Sequence, residues 1–258
     1  MRSVWSLGIG ALGIAALAQV LGCAPAADSD DDDDDGEVPS ESALSTPLAP
    51  GATVEVAQAS TCSTESIRPL ALQLAAALQC TAPSTLVPIP THANITLDPS
   101  VLGYLQPGAA KAVGELAKAG IKLRINSALR TLPQQYMVRR WAARSTCGVA
   151  KAAAPGRSKH EAGLALDLDN WSDAKKSLGA KKFAWFGAGD EVHFTYQGDD
   201  AKDLGVASVK AFQLLWNENH PGSRLPVDGD YSEQVEKRLK SSPAAGFPKG
   251  IHCQRSQP

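Results

Sequence analysis

Three side chains able to ligate a metal are spaced so that strand geometry can bring them to one point. His160 lies in Gly156-Arg157-Ser158-Lys159-His160-Glu161-Ala162-Gly163, directly ahead of Leu164 to Asp169. There Leu164, Leu166 and Leu168 alternate with Ala165, Asp167 and Asp169, the two-residue period of a strand. His160 is therefore expected in the loop before that strand, and Asp167 on one face of it. A third ligand is offered by His193 in Asp190-Glu191-Val192-His193-Phe194. Two imidazoles and a carboxylate suit zinc, which in catalytic sites takes three protein ligands and leaves a fourth position for water. Manganese or cobalt would also fit the ligand types. Such a site can hydrolyse an amide without a side-chain nucleophile if a nearby carboxylate moves the proton from water to the leaving amine. Asp190 and Glu191 compete for that role. Strand alternation continued backwards puts Glu191 on the face of His193, whereas Asp190 would reach in from a turn.

The elements that must position these residues can be read from periodicity. Ile67, Leu70, Leu74 and Leu78 mark a helix over 66–80, with Pro69 tolerable in its first turn. Residues 81–100 carry four prolines and read as an irregular crossover. A second helix runs from Gly108 to Gly120, which closes it. Residues 121–126 alternate as a strand with one buried face and lead into Ser127-Ala128-Leu129-Arg130-Thr131. Helices follow over 133–143 and 171–178, and strands over 182–186 and 192–196. Short strands among helices predict an α+β fold, a small mainly antiparallel sheet with helices packed on it. A short helical C-terminal segment, 204–243, contains the amphipathic run Val209 to Trp216 and a turn at 227–232, and a tail occupies 244–258.

The chain ahead of this domain reads as export machinery. Residues 1–22 hold one early cation, Arg2, and an uncharged apolar run, of signal-peptide length and short for a membrane span. The run ends in Val20-Leu21-Gly22-Cys23, similar to a bacterial lipobox, so Cys23 is expected to be lipidated and to anchor the protein to a membrane; the alternative is an ordinary signal peptide. Residues 23–60, with Asp28 and the run Asp30 to Asp35, read as a disordered acidic tether. Residues 1–60 hold ten acids and one base, leaving 17 acids and 24 bases, a net charge of +7, in residues 61–258. A positive body suits an anionic polymer; with no nucleic-acid motif, cell-wall material outside the membrane is the expected partner. Cys62, Cys80, Cys147 and Cys253 are then an even set for two disulfides, expected as Cys62–Cys80 and Cys147–Cys253. The first requires residues 62–68 to run back along the helix ending at Cys80, because that helix spans roughly 21 Å and bridged Cα atoms lie within about 7 Å.

Ser158-Lys159-His160 with Gly163, Ala165 and Asp167, followed by Asp190-x-x-His193-Phe194, resembles the zinc D-alanyl-D-alanine carboxypeptidases of the VanY type and the related L-alanyl-D-glutamate endopeptidases of phage lysins. Ser127-Ala128-Leu129-Arg130-Thr131, with Gln134 and Gln135 after it, is similar to the family's S-x-x-R segment. The resemblance covers residues 101–198 and implies a hedgehog/D-Ala-D-Ala-metallopeptidase-like fold. It implies one zinc held by His160, Asp167 and His193, a base at Asp190, and Arg130 at the substrate pocket. Ser158 is placed beside that pocket, shaping the loop. An aspartate at position 190 is more like the endopeptidase branch, and Glu191 stands where the family often has proline or another neutral residue. Residues 61–100 would pack on the peptidase. The segment 204–243 resembles a shortened peptidoglycan-binding module, with Ser232 in place of a usual glycine; the alternative is a helical pair packed on the catalytic domain. Together these imply a monomeric, membrane-anchored lipoprotein that hydrolyses peptidoglycan stem peptides. The rival is a non-catalytic, zinc-containing wall-binding lipoprotein.

Overall fold

The computed structural model describes residues 48–251 and Cys253. The expected signal peptide, Cys23 and the expected tether as far as residue 47 lie outside the described residues. The first half of the order is α1 (Val54–Ser60), a 3-10 turn (Thr64–Ile67), α2 (Arg68–Thr81), β1 (Val87–Pro88), β2 (Ile95–Leu97), β3 (Tyr104–Leu105), α3 (Pro107–Lys118) and β4 (Leu123–Ser127). Then come α4 (Leu132–Arg144), β5 (Ala165–Leu168), α5 (Trp171–Gly179), β6 (Phe183–Trp185), β7 (His193–Tyr196), α6 (Gly205–Asn219) and α7 (Glu233–Ser241). Among the described residues no helix is long and apolar enough to cross a membrane.

The fold is α+β. Its main sheet has the order β2-β4-β5-β7-β6, with three antiparallel pairings and one parallel pairing, β2 with β4. Alternation gives the sheet two unlike faces. Leu123, Ile125, Leu166, Leu168 and Phe194 are buried in one core with Val113 and Leu116 of α3 and Ala174 and Leu178 of α5. Asp167 and His193 fall on the other face, directly opposite each other across β5 and β7. Strict alternation from Leu123 and Ile125 would send Ser127 into the core. An irregularity in the β4–β5 register between Ile125 and Ser127 instead sets Ser127 opposite Asp167, the re-aiming that a β-bulge produces.

A second core is built mainly by helices, with Leu225, Ala244 and Phe247 added from loops. Val54 and Ala57 of α1, Leu70 and Leu74 of α2, Met137 and Trp141 of α4, Phe212 and Trp216 of α6, and Val235 and Leu239 of α7 share it. The helical segment 204–243 is thus packed on the N-terminal helices and on α4 rather than standing alone. The tether boundary moves as well. Residues 54–60 form α1, capped at Thr53, because Val54 and Ala57 have an apolar surface to cover. The irregular crossover holds two short strands, β1 and β2, that show no period of their own.

The disulfides are Cys62–Cys147 and Cys80–Cys253, so the expected pairing is corrected. Residues 64–67 form a 3-10 turn that leads directly into α2 at Arg68, which leaves Cys62 ahead of the helix's start and Cys80 near its end. Cys62 instead meets the end of α4, where Ser145 (φ +52) turns the chain left-handed and delivers Cys147 with a Cα–Cα distance of 5.2 Å.

Candidate metal centre

His160, Asp167 and His193 come together from a loop and two adjacent strands. His160 Nε2 lies 3.1 Å from His193 Nδ1 and 3.2 Å from Asp167 Oδ1, and His193 Nδ1 is 2.9 Å from the same oxygen. Each ring is fixed by its far nitrogen. His160 Nδ1–H donates to the Ala128 carbonyl at 2.7 Å, and His193 Nε2 shares a hydrogen bond with Thr195 Oγ1 at 3.1 Å. The first bond assigns the tautomer of His160 and turns its unprotonated Nε2 inward, and the second orients the His193 ring so that Nδ1 faces the same point. Two imidazole nitrogens and a carboxylate oxygen then converge, a donor set that could surround a cation. A proton on His160 is disfavoured: burial, reinforced by Arg130, pushes its pKa down. Burial acts against ionisation of Asp167, but the adjacent His160 and His193 imidazoles and the Arg130 guanidinium outweigh it and hold the carboxyl well below its usual range. The donor set therefore fits a metal ion, with ligand atoms all within 4.8 Å of one another.

Arg130 serves this centre directly. Its side chain is only 14% exposed, and it donates to Asp167 Oδ2 at 3.3 Å, Ser127 Oγ at 3.1 Å and Gln135 Oε1 at 3.0 Å. The guanidinium thus orients the ligand carboxylate, whose other oxygen faces the imidazoles. Local sequence explains its place: α4 begins just beyond it through a capping box between Thr131 and Gln134, with Pro133 in the first turn. Ser158 is buried, and its Oγ accepts from the backbone N–H of His160 at 3.3 Å, so it shapes the loop.

The two competing carboxylates sit in a turn, since β7 begins only at His193. The alternation that favoured Glu191 therefore does not reach it. Glu191 is exposed, and its carbonyl accepts from Trp185 Nε1 at 2.7 Å. Asp190 is half-buried. Burial raises its pKa and the charge of Asp167 raises it further, against the pull of His193, Arg130 and Lys151. Asp190 thus stands within the electrostatic field of the triad. Both residues line a cleft of about 1220 Å³ that also contains Ser127, Arg130, Trp171 and Phe186, with the triad in its wall.

Sequence reasoning missed Glu161. It is fully buried, and its Oε2 accepts from the backbone N–H groups of Gly156 at 2.8 Å and Ser158 at 3.2 Å. Its Oε1 accepts from Ser208 Oγ of α6 at 3.2 Å. Burial pushes its pKa up to about 8 against these three donors and Arg130. The available signal was an acid beside a ligand and ahead of the apolar run Ala162-Gly163-Leu164. Gly163 closes this loop at φ +65°, where a Cβ would collide with Leu86 Cδ2.

A scan against protein-family models and a search of curated proteins gave no match.

Proposed function

We propose that this chain is a zinc-dependent peptidase that hydrolyses a peptide bond in peptidoglycan stem peptides. The convergence of His160, Asp167 and His193 on the wall of an open cleft, within the field of the half-buried Asp190, carries the reading. The substrate class is supported by the motif resemblance and the positive charge of residues 61–258. Bound there, zinc would supply Lewis acidity to a water and to the amide carbonyl at neutral pH.

The protein's own groups account for the rest. Asp190, when ionised, takes a proton from the attacking water as the new carbon–oxygen bond forms. It returns that proton to the amide nitrogen as the carbon–nitrogen bond breaks, giving a carboxylic acid and an amine. Arg130 holds Asp167 in its ligating orientation and adds fixed positive charge beside the carbonyl that becomes negative. Trp171 and Phe186 provide apolar walls. Lipidation at Cys23 would tether this activity at the membrane, facing the periplasm or wall.

The test is digestion of defined muropeptides by the zinc-loaded protein, with products weighed by mass spectrometry. Wild type is expected to release one product series, and Asp190→Asn to keep one zinc per chain while turnover falls by at least about a hundredfold. No cleavage across the panel would overturn the reading in favour of a zinc-containing wall-binding protein. Unchanged turnover in Asp190→Asn would overturn the role of Asp190.

A further inference from the structure

Arg130 is the obvious handle for a substrate carboxylate, yet its donors are directed at Asp167, Ser127 and Gln135. Four exposed cations also line the cleft: Arg139, Lys151, Arg157 and Lys159. Arg139 donates to the Ala152 carbonyl at 2.9 Å, and Lys159 lies 3.8 Å from Asp203. The Arg157 side chain and Lys151 Nζ have neither an ion-pair nor a hydrogen-bond partner among the described residues, and of the two Lys151 Nζ is the one over a ring beside the triad. It lies 5.9 Å from the centroid of the Phe186 ring, whose edge-on neighbour at 5.7 Å is the ring of His193. It is also 3.3 Å from where a Cβ on Gly189 would sit, beside Asp190. The ammonium is therefore at the metal end of the cleft, over the 186–190 turn.

Its loop is braced where a specificity residue would need it. Gln135 Nε2 donates to the Ala153 carbonyl at 2.7 Å, Arg139 holds Ala152, and the Cys62–Cys147 disulfide fixes the loop's start. Gln135, completely buried, receives Arg130 through its other amide atom, so one side chain sets both the metal-ligand support and the Lys151 loop.

We infer that Lys151 forms a carboxylate subsite that takes the free C-terminal carboxylate of the peptide, so that the residue removed is a terminal one. The inference rests on the hydrolytic reading above and specifies its substrate. With the scissile carbonyl at the triad, the terminal carboxylate of a single leaving residue falls about 4 Å beyond it, one Cα-to-Cα step, and the Lys151 ammonium stands over the Phe186 ring, whose centroid is 5.9 Å from Nζ and 5.7 Å from that of His193. An ammonium suits a carboxylate that arrives in varied orientation, being a point charge with three rotatable donors.

The test uses two peptides of one sequence ending in D-Ala-D-Ala, one with a free carboxylate and one with a carboxamide. Wild type is expected to favour the acid by at least about tenfold in kcat/KM, the effect of one close charge pair in a cleft. Lys151→Ala should bring the ratio near one, Lys151→Glu should invert it, and Lys151→Arg should keep most of it. Equal cleavage of both peptides by wild type, or an unchanged ratio in Lys151→Ala, overturns the subsite while leaving the hydrolytic reading intact. Calorimetry on zinc-loaded Asp190→Asn measures the same preference as binding. A tenfold preference for the acid there, lost in the double variant with Lys151→Ala, supports the subsite even if no peptide is cleaved; no preference overturns it.

Discussion

Asp167 divides its oxygens between unlike partners, Oδ1 toward two imidazole nitrogens and Oδ2 toward Arg130. A carboxylate held at both ends has little freedom to rotate, so the point where a metal could sit is set by the fold around it. Asp190, with no such pairing, keeps the raised pKa that burial and Asp167 impose. A general base works ionised, so activity should fall with decreasing pH through that raised value. The acid limb of kcat/KM is expected above the ordinary aspartate range of about 4. A pH–rate profile whose acid limb lies at an ordinary carboxylate value would point away from Asp190 and toward an exposed group such as Glu191. The three candidate ligands were legible in the sequence because two of the chain's five histidines flank an aspartate at distances a strand or loop can close. The bond from Arg130 to Asp167 was not, because it joins residues 37 positions apart through a register irregularity that periodicity does not record.

At the scale of elements, the loop bearing His160 is held from outside the sheet. Glu161 gathers two of the loop's N–H groups and the Ser208 hydroxyl of α6 into one buried carboxylate. Glu161→Ala would leave these donors unpaired and is expected to cost roughly 3 kcal/mol. Zinc affinity should weaken about ten- to a hundredfold as His160 loses its fixed position. Glu161→Gln keeps an acceptor for the loop and a donor toward Ser208, so it should recover most of both. Urea unfolding and chelator competition measure the two quantities, and equal losses in Ala and Gln would contradict this account. Strand alternation located β4, β5 and β7 because each has one apolar face. It could not reveal β2, three residues in a proline-rich stretch, or the disulfide partners, which depend on where helix ends meet.

For the molecule as a whole, the helices of residues 204–243 belong to the same body as the metal centre. Phe212, Leu215 and Trp216 of α6 and Leu70 and Leu74 of α2 are buried together. At about 1.5–3 kcal/mol for each large side chain, uncovering this set rivals the roughly 5–15 kcal/mol that holds a typical domain folded. A chain ending at Asp203 is therefore expected to lose cooperative unfolding and zinc retention, read by near-UV circular dichroism and metal analysis. A truncated chain that stays folded with one zinc would show the segment to be a separable module. The sequence left both arrangements open, because α6 and α7 look alike whether they cover a partner in the same chain or stand apart.

The contact between Ser208 and Glu161 also has a consequence in time. During synthesis the residues of the triad emerge before the helix that braces them, and the second core closes only when residues 205–219 arrive. Until then the His160 loop lacks its anchor. A nascent chain therefore cannot assemble a firm metal site, and the competent state becomes available only once residues 205–219 have been made.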